Sequence, residues 1–174
     1  MIKIETTPNP NALKFILNKI VSVKSISFKN LFEVKQIPLV FKILSLTGIS
    51  DVFLKENFIT ITKHNYVSWE VLEGSVVTII KENIDNHNPT IKNSGEKYKS
   101  PNITRIERII DKYIKNYLGS DGGGLEVVDL IGDYLSIKLL GSCASCIASK
   151  HKTLEYISET LQKYYKPDIK IVVV

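Results

Sequence analysis

The stretch NIDNHNPTIKNSGEKYKSPN, residues 83–102, constrains the fold of this 174-residue chain more than any other segment. Asn, Lys, Ser, Gly and Pro dominate it, Ile84 and Ile91 stand isolated, and neither a helical nor a strand period runs through it. A run of this kind has no apolar face to bury, so it reads as a linker between two domains. The chain therefore has to build two small cores rather than one large one. No internal repeat relates the flanking halves, which predicts two different folds. The boundaries drawn are an N-terminal α/β domain over residues 1–85, a linker over 86–100 and a second domain over 101–174.

The first half opens with strand patterns at Ile2 to Thr6 and Ala12 to Leu17, separated by a Pro-Asn-Pro-Asn turn. IPLVFKILSLTG suits a helix with Pro38 in its first turn and Gly48 past its end. ISDVFLKENFITITKH reads as two strands hinged near Lys55 to Asn57, and Ser68 caps a helix with Leu72, Val76, Ile79 and Ile80 on one face. Gly74 is the one residue out of character in that helix, and Trp69 is read as packing. In the second half Ser100-Pro101 opens a helix carrying Ile103, Ile106, Ile110, Tyr113, Ile114 and Tyr117 at helical spacing. LEVVDL and YLSIKLL form a hairpin about Ile131-Gly132-Asp133. A long helix follows, marked by Ile147, Leu154, Ile157, Leu161 and Tyr164 and stopped by Pro167, and IKIVVV closes the chain as a strand. The predicted class is α+β: two α/β sandwiches, the second in the order α-β-β-α-β.

Composition narrows the function classes. The chain is 44% hydrophobic and 24% charged, the profile of a globular protein. Its net charge of +5 is spread, with 10 basic and 8 acidic residues in 1–85 and 10 and 9 in 101–174, so no basic stripe for nucleic acid is present. No run nears the eighteen or so apolar residues of a membrane span. Two cysteines are too few for a disulfide framework, which points to a reducing compartment. The start MIKIETTPNPNALKF shows neither a secretory nor an Arg-rich transit pattern, so the expected location is the cytoplasm.

Both cysteines, Cys143 and Cys146, lie in LLGSCASCIASK, at the passage from the second hairpin strand into the long helix. The neighbours Gly141, Ser142, Ala144, Ser145 and Ala148 are small, which leaves room round the sulfurs and lets backbone amides approach them. Two thiolates are half of a tetrahedral site. His64 lies in the first domain, His87 in the linker and His151 set back along the helix, so none completes it. The remaining ligands would come most simply from a second copy of the chain, giving a four-thiolate site for an iron–sulfur cluster or zinc. The same spacing also serves a thiol–disulfide oxidoreductase, although no aromatic residue precedes the pair. Gly122 to Gly124 are no phosphate loop, since they follow a helix and precede a strand. They are read as a turn packed closely under the cysteine segment.

SDGGGLEVVDLIGDYLSIKLLGSCASC, residues 120–146, resembles the C-terminal domain of the NifU-like (Nfu) iron–sulfur proteins, with Asp121, Gly122, Gly123, Gly141, Cys143 and Cys146 in matching order. TPNPNALKF at 7–15, ISDVFLKENFITITK at 49–63 and Trp69 resemble the domain often joined to it. Ile147 stands where many members have proline, Ala144 and Ser145 where a glycine is common, and Gly124 where an acidic residue is frequent. The resemblance implies a scaffold or carrier rather than an enzyme. It would hold a labile 4Fe–4S cluster (2Fe–2S being the alternative) on Cys143 and Cys146 of two subunits. The partners implied are a second copy of the chain, apo iron–sulfur client proteins and upstream assembly factors, with neither nucleic acid nor membrane among them.

Overall fold

A computed structural model describes residues 1–90, 100–145 and 147–174, leaving aside the side chains of residues 145 and 147–149. The chain divides into two compact units, Met1–Lys92 and Asn93–Val174. Both mix helix with sheet, so the class is α+β.

In the first unit β1 (Lys3–Thr6), β2 (Ala12–Ile16), β3 (Ser22–Phe28), β4 (Ile49–Glu56) and β5 (Phe58–Lys63) form one sheet in the order β1-β2-β5-β4-β3. Every neighbouring pair in it is antiparallel. The helices α1 (Pro38–Leu44) and α2 (Trp69–Asn83) supply the second layer. Alternate strand residues Leu13, Phe15, Val52, Leu54, Ile59 and Ile61 share a core with Leu39, Ile43, Leu72, Val76 and Ile80. Two periods thus meet in one apolar layer, every second residue of a strand and every third or fourth of a helix. Full burial of each such aliphatic side chain is worth about 1.5–3 kcal/mol. The ring of Trp69 stands edge-on to Phe15 at 6.5 Å, so it packs as expected.

Three local features differ from the sequence reading. β3 with the 3₁₀ turn Leu31–Val34 fills a region where no element was expected. Helix α1 ends at Leu44, four residues before Gly48, whose φ of 96° turns the chain into β4. Ser68 has the extended backbone of an N-cap but makes no side-chain cap bond. The other end of α2 is closed by Lys19, whose ammonium donates to the carbonyls of Ile84 and Asp85, both at 2.9 Å. That places a cation where unpaired carbonyls and the negative end of the helix dipole gather.

Residues 86–90, drawn into the linker by composition, are attached to the first unit. The His87 ring bonds the Val21 carbonyl at 2.8 Å. Thr90 donates its N–H to the same carbonyl at 3.0 Å and forms a parallel bridge with Ser22 at the sheet edge. Edge strands expose unpaired backbone groups, and Thr90 satisfies some of them. Most of the remaining linker, residues 91–99, lies outside the described residues.

The second unit holds a sheet in the order β6-β7-β8, made of β6 (Gly123–Ile131), β7 (Tyr134–Gly141) and β8 (Lys170–Val173). β6 and β7 are the expected hairpin, and β8 joins β7 in parallel after the crossover helix α6 (Ile147–Tyr164). Ser100 caps the first helix as expected, its Oγ accepting from Ile103 N–H at 3.3 Å, with Pro101 at the first position. That helix is a run of three pieces: α3 (Pro101–Ile109), a π-helical stretch (Ile110–Ile114) and α4 (Lys115–Ser120). The reason lies in its core residues. Ile106, Ile110, Ile114 and Leu118 are all buried, at a strict interval of four residues. A regular α-helix overshoots by about 40° at each such step, so the apolar line would drift off the core. The wider π turn takes up the drift. Within this stretch the Tyr113 carbonyl accepts the Tyr156 hydroxyl at 3.0 Å, which ties this helix to α6.

Gly74 sits exposed in α2, and a Cβ placed there would meet nothing within 4 Å. Gly74→Ala should therefore stabilise the first unit by about 0.5–1 kcal/mol. Urea denaturation followed by fluorescence of Trp69, the single tryptophan of the chain, reads that unit directly. An unchanged or lower midpoint would count against an unencumbered helical position.

Candidate functional site

The hairpin register decides where the cysteine segment begins. Gly123, first residue of β6, pairs with Gly141, last residue of β7. The loop entering β6 and the turn leaving β7 are therefore side by side. Gly122 and Gly141 both take left-handed backbone, with φ of 73° and 63°, a conformation that side chains disfavour. From Gly141 the chain passes straight into helix, α5 (Ser142–Ser145), which carries Cys143, and the described residues resume in helix at Ile147.

Two hydrogen bonds tie this turn to the loop before β6. Ser142 donates its N–H to the Gly122 carbonyl at 3.3 Å and its hydroxyl to the Asp121 carbonyl. The Ser142 oxygen stands 4.0 Å from the Cys143 sulfur. Beneath the sulfur lies the backbone of Gly123. A Cβ on that glycine would fall 2.3 Å from Cys143 Sγ and 3.1 Å from the Leu140 carbonyl, so no larger residue fits while the sulfur stays in place. The glycine run is thus a close-approach surface for the cysteine, as its position in the sequence predicted.

The thiol is not presented outward. Cys143 is 2% exposed and belongs to the apolar cluster of Ile106, Ile114, Leu118, Ile137, Leu139 and Ile157. Small neighbours in the sequence predicted open space round the sulfur, whereas that space is filled by the Gly123 backbone and by core side chains. Tyr117 borders the same region, its ring tilted against Tyr156 at 4.6 Å. Its phenol is held above the ordinary tyrosine range, first by burial and then by the charges of Asp121 and Cys143.

Cys146, the second sequence-predicted ligand, lies outside the described residues. The histidines are elsewhere: His64 is exposed and stacked on Tyr66 at 5.3 Å, His87 is bound to the β3 end, and His151 is exposed on α6. Among the described residues no three His, Cys, Asp or Glu side chains gather as a metal site. Ser142 and its two carbonyl partners escaped sequence reading. A serine before a cysteine carries no spacing signal, and only the strand register reveals what it reaches. Gly123→Ala should cost roughly 1–3 kcal/mol by overpacking. A lowered midpoint in the thermal unfolding of the second unit, followed by tyrosine circular dichroism, checks this, and an unchanged midpoint would refute the contact.

Comparison with known proteins adds an independent line. The family model for the N-terminal domain of the scaffold protein Nfu/NifU matches residues 2–87, and the NifU-like domain matches residues 106–172. A NifU-like protein of Schizosaccharomyces pombe is 27% identical over 99% of this chain and 71% of its own. The human NFU1 iron-sulfur cluster scaffold homolog, mitochondrial, is 26% identical over 97% of this chain and 69% of its own. NifU-like protein 4, mitochondrial, of Arabidopsis thaliana is 25% identical over 97% of this chain, which spans 64% of that relative's length. Among solved structures, a NifU-like protein from Saccharomyces cerevisiae is 28% identical over 53% of this chain and 84% of its own, with a TM-score of 0.46.

The expectation of a cytoplasmic location is corrected by these relatives, since the human and Arabidopsis proteins are named as mitochondrial. Two thiols without a disulfide framework report a reducing compartment and do not say which one. Among the described residues no helix is long and apolar enough to cross a membrane. With one family domain in each half, matched in order and flanking the polar segment, the chain belongs to the Nfu/NifU family.

Proposed function

We propose that this protein is an iron–sulfur cluster scaffold and carrier. It holds a labile 4Fe–4S cluster on Cys143 and Cys146 of two copies of the chain, receives it from an upstream assembly factor and delivers it to apo-proteins. The cluster is cargo rather than a resident cofactor, and the protein performs no turnover of a small molecule. One observation carries the reading. A soft sulfur donor sits on a turn whose backbone is shaped round it, while no further ligand set gathers beside it among the described residues. Thiolates are the ligands of iron–sulfur clusters, and a two-fold arrangement of two cysteine pairs provides the four that a 4Fe–4S cluster requires.

A donor set split between two chains suits a carrier. Each chain alone supplies only half the coordination, so separating the copies weakens the hold on the cargo at once. A 2Fe–2S cluster would also accept four thiolates, and Mössbauer spectra distinguish the two. The first unit, which lacks cysteine altogether, is assigned the docking of clients or assembly factors. The alternative, a thiol–disulfide oxidoreductase using the same pair, would cycle a reversible Cys143–Cys146 disulfide and take up no iron.

Anaerobic reconstitution with iron and sulfide tests the ligand assignment. Cys143→Ser and Cys146→Ser should each lower bound iron and sulfide to background while the far-ultraviolet circular dichroism of the chain is unchanged. A folded variant with full iron and sulfide would overturn the assignment. In transfer assays the full chain should deliver clusters faster than residues 101–174 alone. Equal rates would remove the docking role of the first unit.

A further inference from the structure

We infer that the surface where the first helical run of the second unit meets the end of α6 is a docking face for an acidic segment of a partner protein. The inference rests on the carrier reading for the partner's role, as donor or recipient of the cluster, and on contacts within the second unit for the surface itself. Arg105, Arg108 and Lys112 are exposed and recur at helical spacing, which sets them on one helix face. A ring pair brings a fourth cation to them from α6. Tyr113 stacks on Tyr164 at 4.2 Å, Lys112 lies over the first ring at 4.9 Å and Lys163 over the second at 5.1 Å. Arg105 lies over the ring of Tyr165 at 5.6 Å, which extends the same seam.

What these cations lack is a carboxylate. Among the described residues none of the four makes an ion pair, although Glu107, Asp111 and Glu159 lie on the same two helices. Exposed ion pairs are weakened by the cost of fixing long side chains. Here the rings already order three of the four cations, so an arriving carboxylate meets charges held in place. A partner covering the patch also takes Tyr164, 39% exposed, out of water, and tyrosine and arginine are the side chains that favour such interfaces. The seam leads toward the cysteine. Tyr117, a turn beyond Tyr113, feels the charge of Cys143, and its ring tilts against Tyr156, whose hydroxyl binds the Tyr113 carbonyl. A protein held on the patch is thus placed near the cluster ligand without covering it.

Nucleic acid fits this surface less well. A base stacks on a free ring face, whereas Tyr113 and Tyr164 are stacked on each other and each carries an ammonium. Residues 101–174 hold 10 basic and 9 acidic side chains, so no extended positive field surrounds the four cations.

The test uses the full chain and a fluorescein-labelled decaglutamate peptide, its binding followed by anisotropy at about 20 mM salt, where exposed charges are little screened. Arg105→Ala, Arg108→Ala, Lys112→Ala and Lys163→Ala combined should weaken binding about tenfold or more, the joint effect of four exposed ion pairs. Lys112→Gln with Lys163→Gln should weaken it about threefold, and keeps the test open should the fourfold variant unfold. Lys24→Ala, Lys35→Ala, Lys42→Ala and Lys81→Ala combined remove the same charge from the first unit and should change binding less than about twofold. Unchanged affinity in the folded patch variants, or an equal loss in the first-unit variant, would overturn the docking face. A decathymidylate that binds the patch more tightly than the peptide would overturn the acidic-protein assignment. Failure of the carrier reading looks different: the peptide results stand, and the chain takes up neither iron nor sulfide.

Discussion

The close approach of the Cys143 sulfur to the backbone of Gly123 is the contact in which the packing constraints of the second unit meet. It needs β6 and β7 in a register that sets Gly123 opposite Gly141, since a slip of one residue would turn alternate side chains to the wrong face. That register is held by Leu135, Ile137 and Leu139, which alternate along β7 and enter the same core as the helices. The helices must in turn present a straight apolar line to the sheet, and the π stretch at Ile110–Ile114 keeps Ile106 and Leu118 on it. A single sulfur therefore reports on packing throughout a small domain.

The seam between the first helical run and α6 is aromatic as well as aliphatic. Tyr113 stacks on Tyr164 at 4.2 Å, Tyr117 tilts against Tyr156, and the Tyr156 hydroxyl reaches the Tyr113 carbonyl. Ring pairs of this kind add about 0.5–1.5 kcal/mol beyond the area they bury. A three-stranded sheet offers only a modest apolar face, and these rings widen the contact between the helices without adding residues.

Much of this was legible in the sequence, and what was not has particular causes. The hairpin, the Ser100-Pro101 helix start, Pro38 and the two strands about Lys55 to Asn57 are governed by short-range chemistry, so they could be read from a few residues. β3 was not seen although Ile26 and Phe28 are buried at alternate positions, because three serines and a lysine hide a strand that has only one apolar face. The π stretch was read as plain helix, since a four-residue apolar interval is compatible with α-helical spacing over a turn or two. Residues 86–90 looked like linker because their attachment runs through backbone groups, the Val21 carbonyl and the Val23 N–H, which leave no mark on composition. Cys143 was expected beside open space, yet burial depends on which strand lies opposite. The compartment could not follow from the cysteine count, which records redox conditions alone.

The central claim is that the cluster is shared between copies of the chain. Native mass spectrometry of the anaerobically loaded full-length chain at low micromolar concentration tests it most directly. The expected species is two chains carrying four irons and four sulfides, with apo material at lower mass. Four irons and four sulfides on a single chain, with no dimer at any dilution, would contradict it.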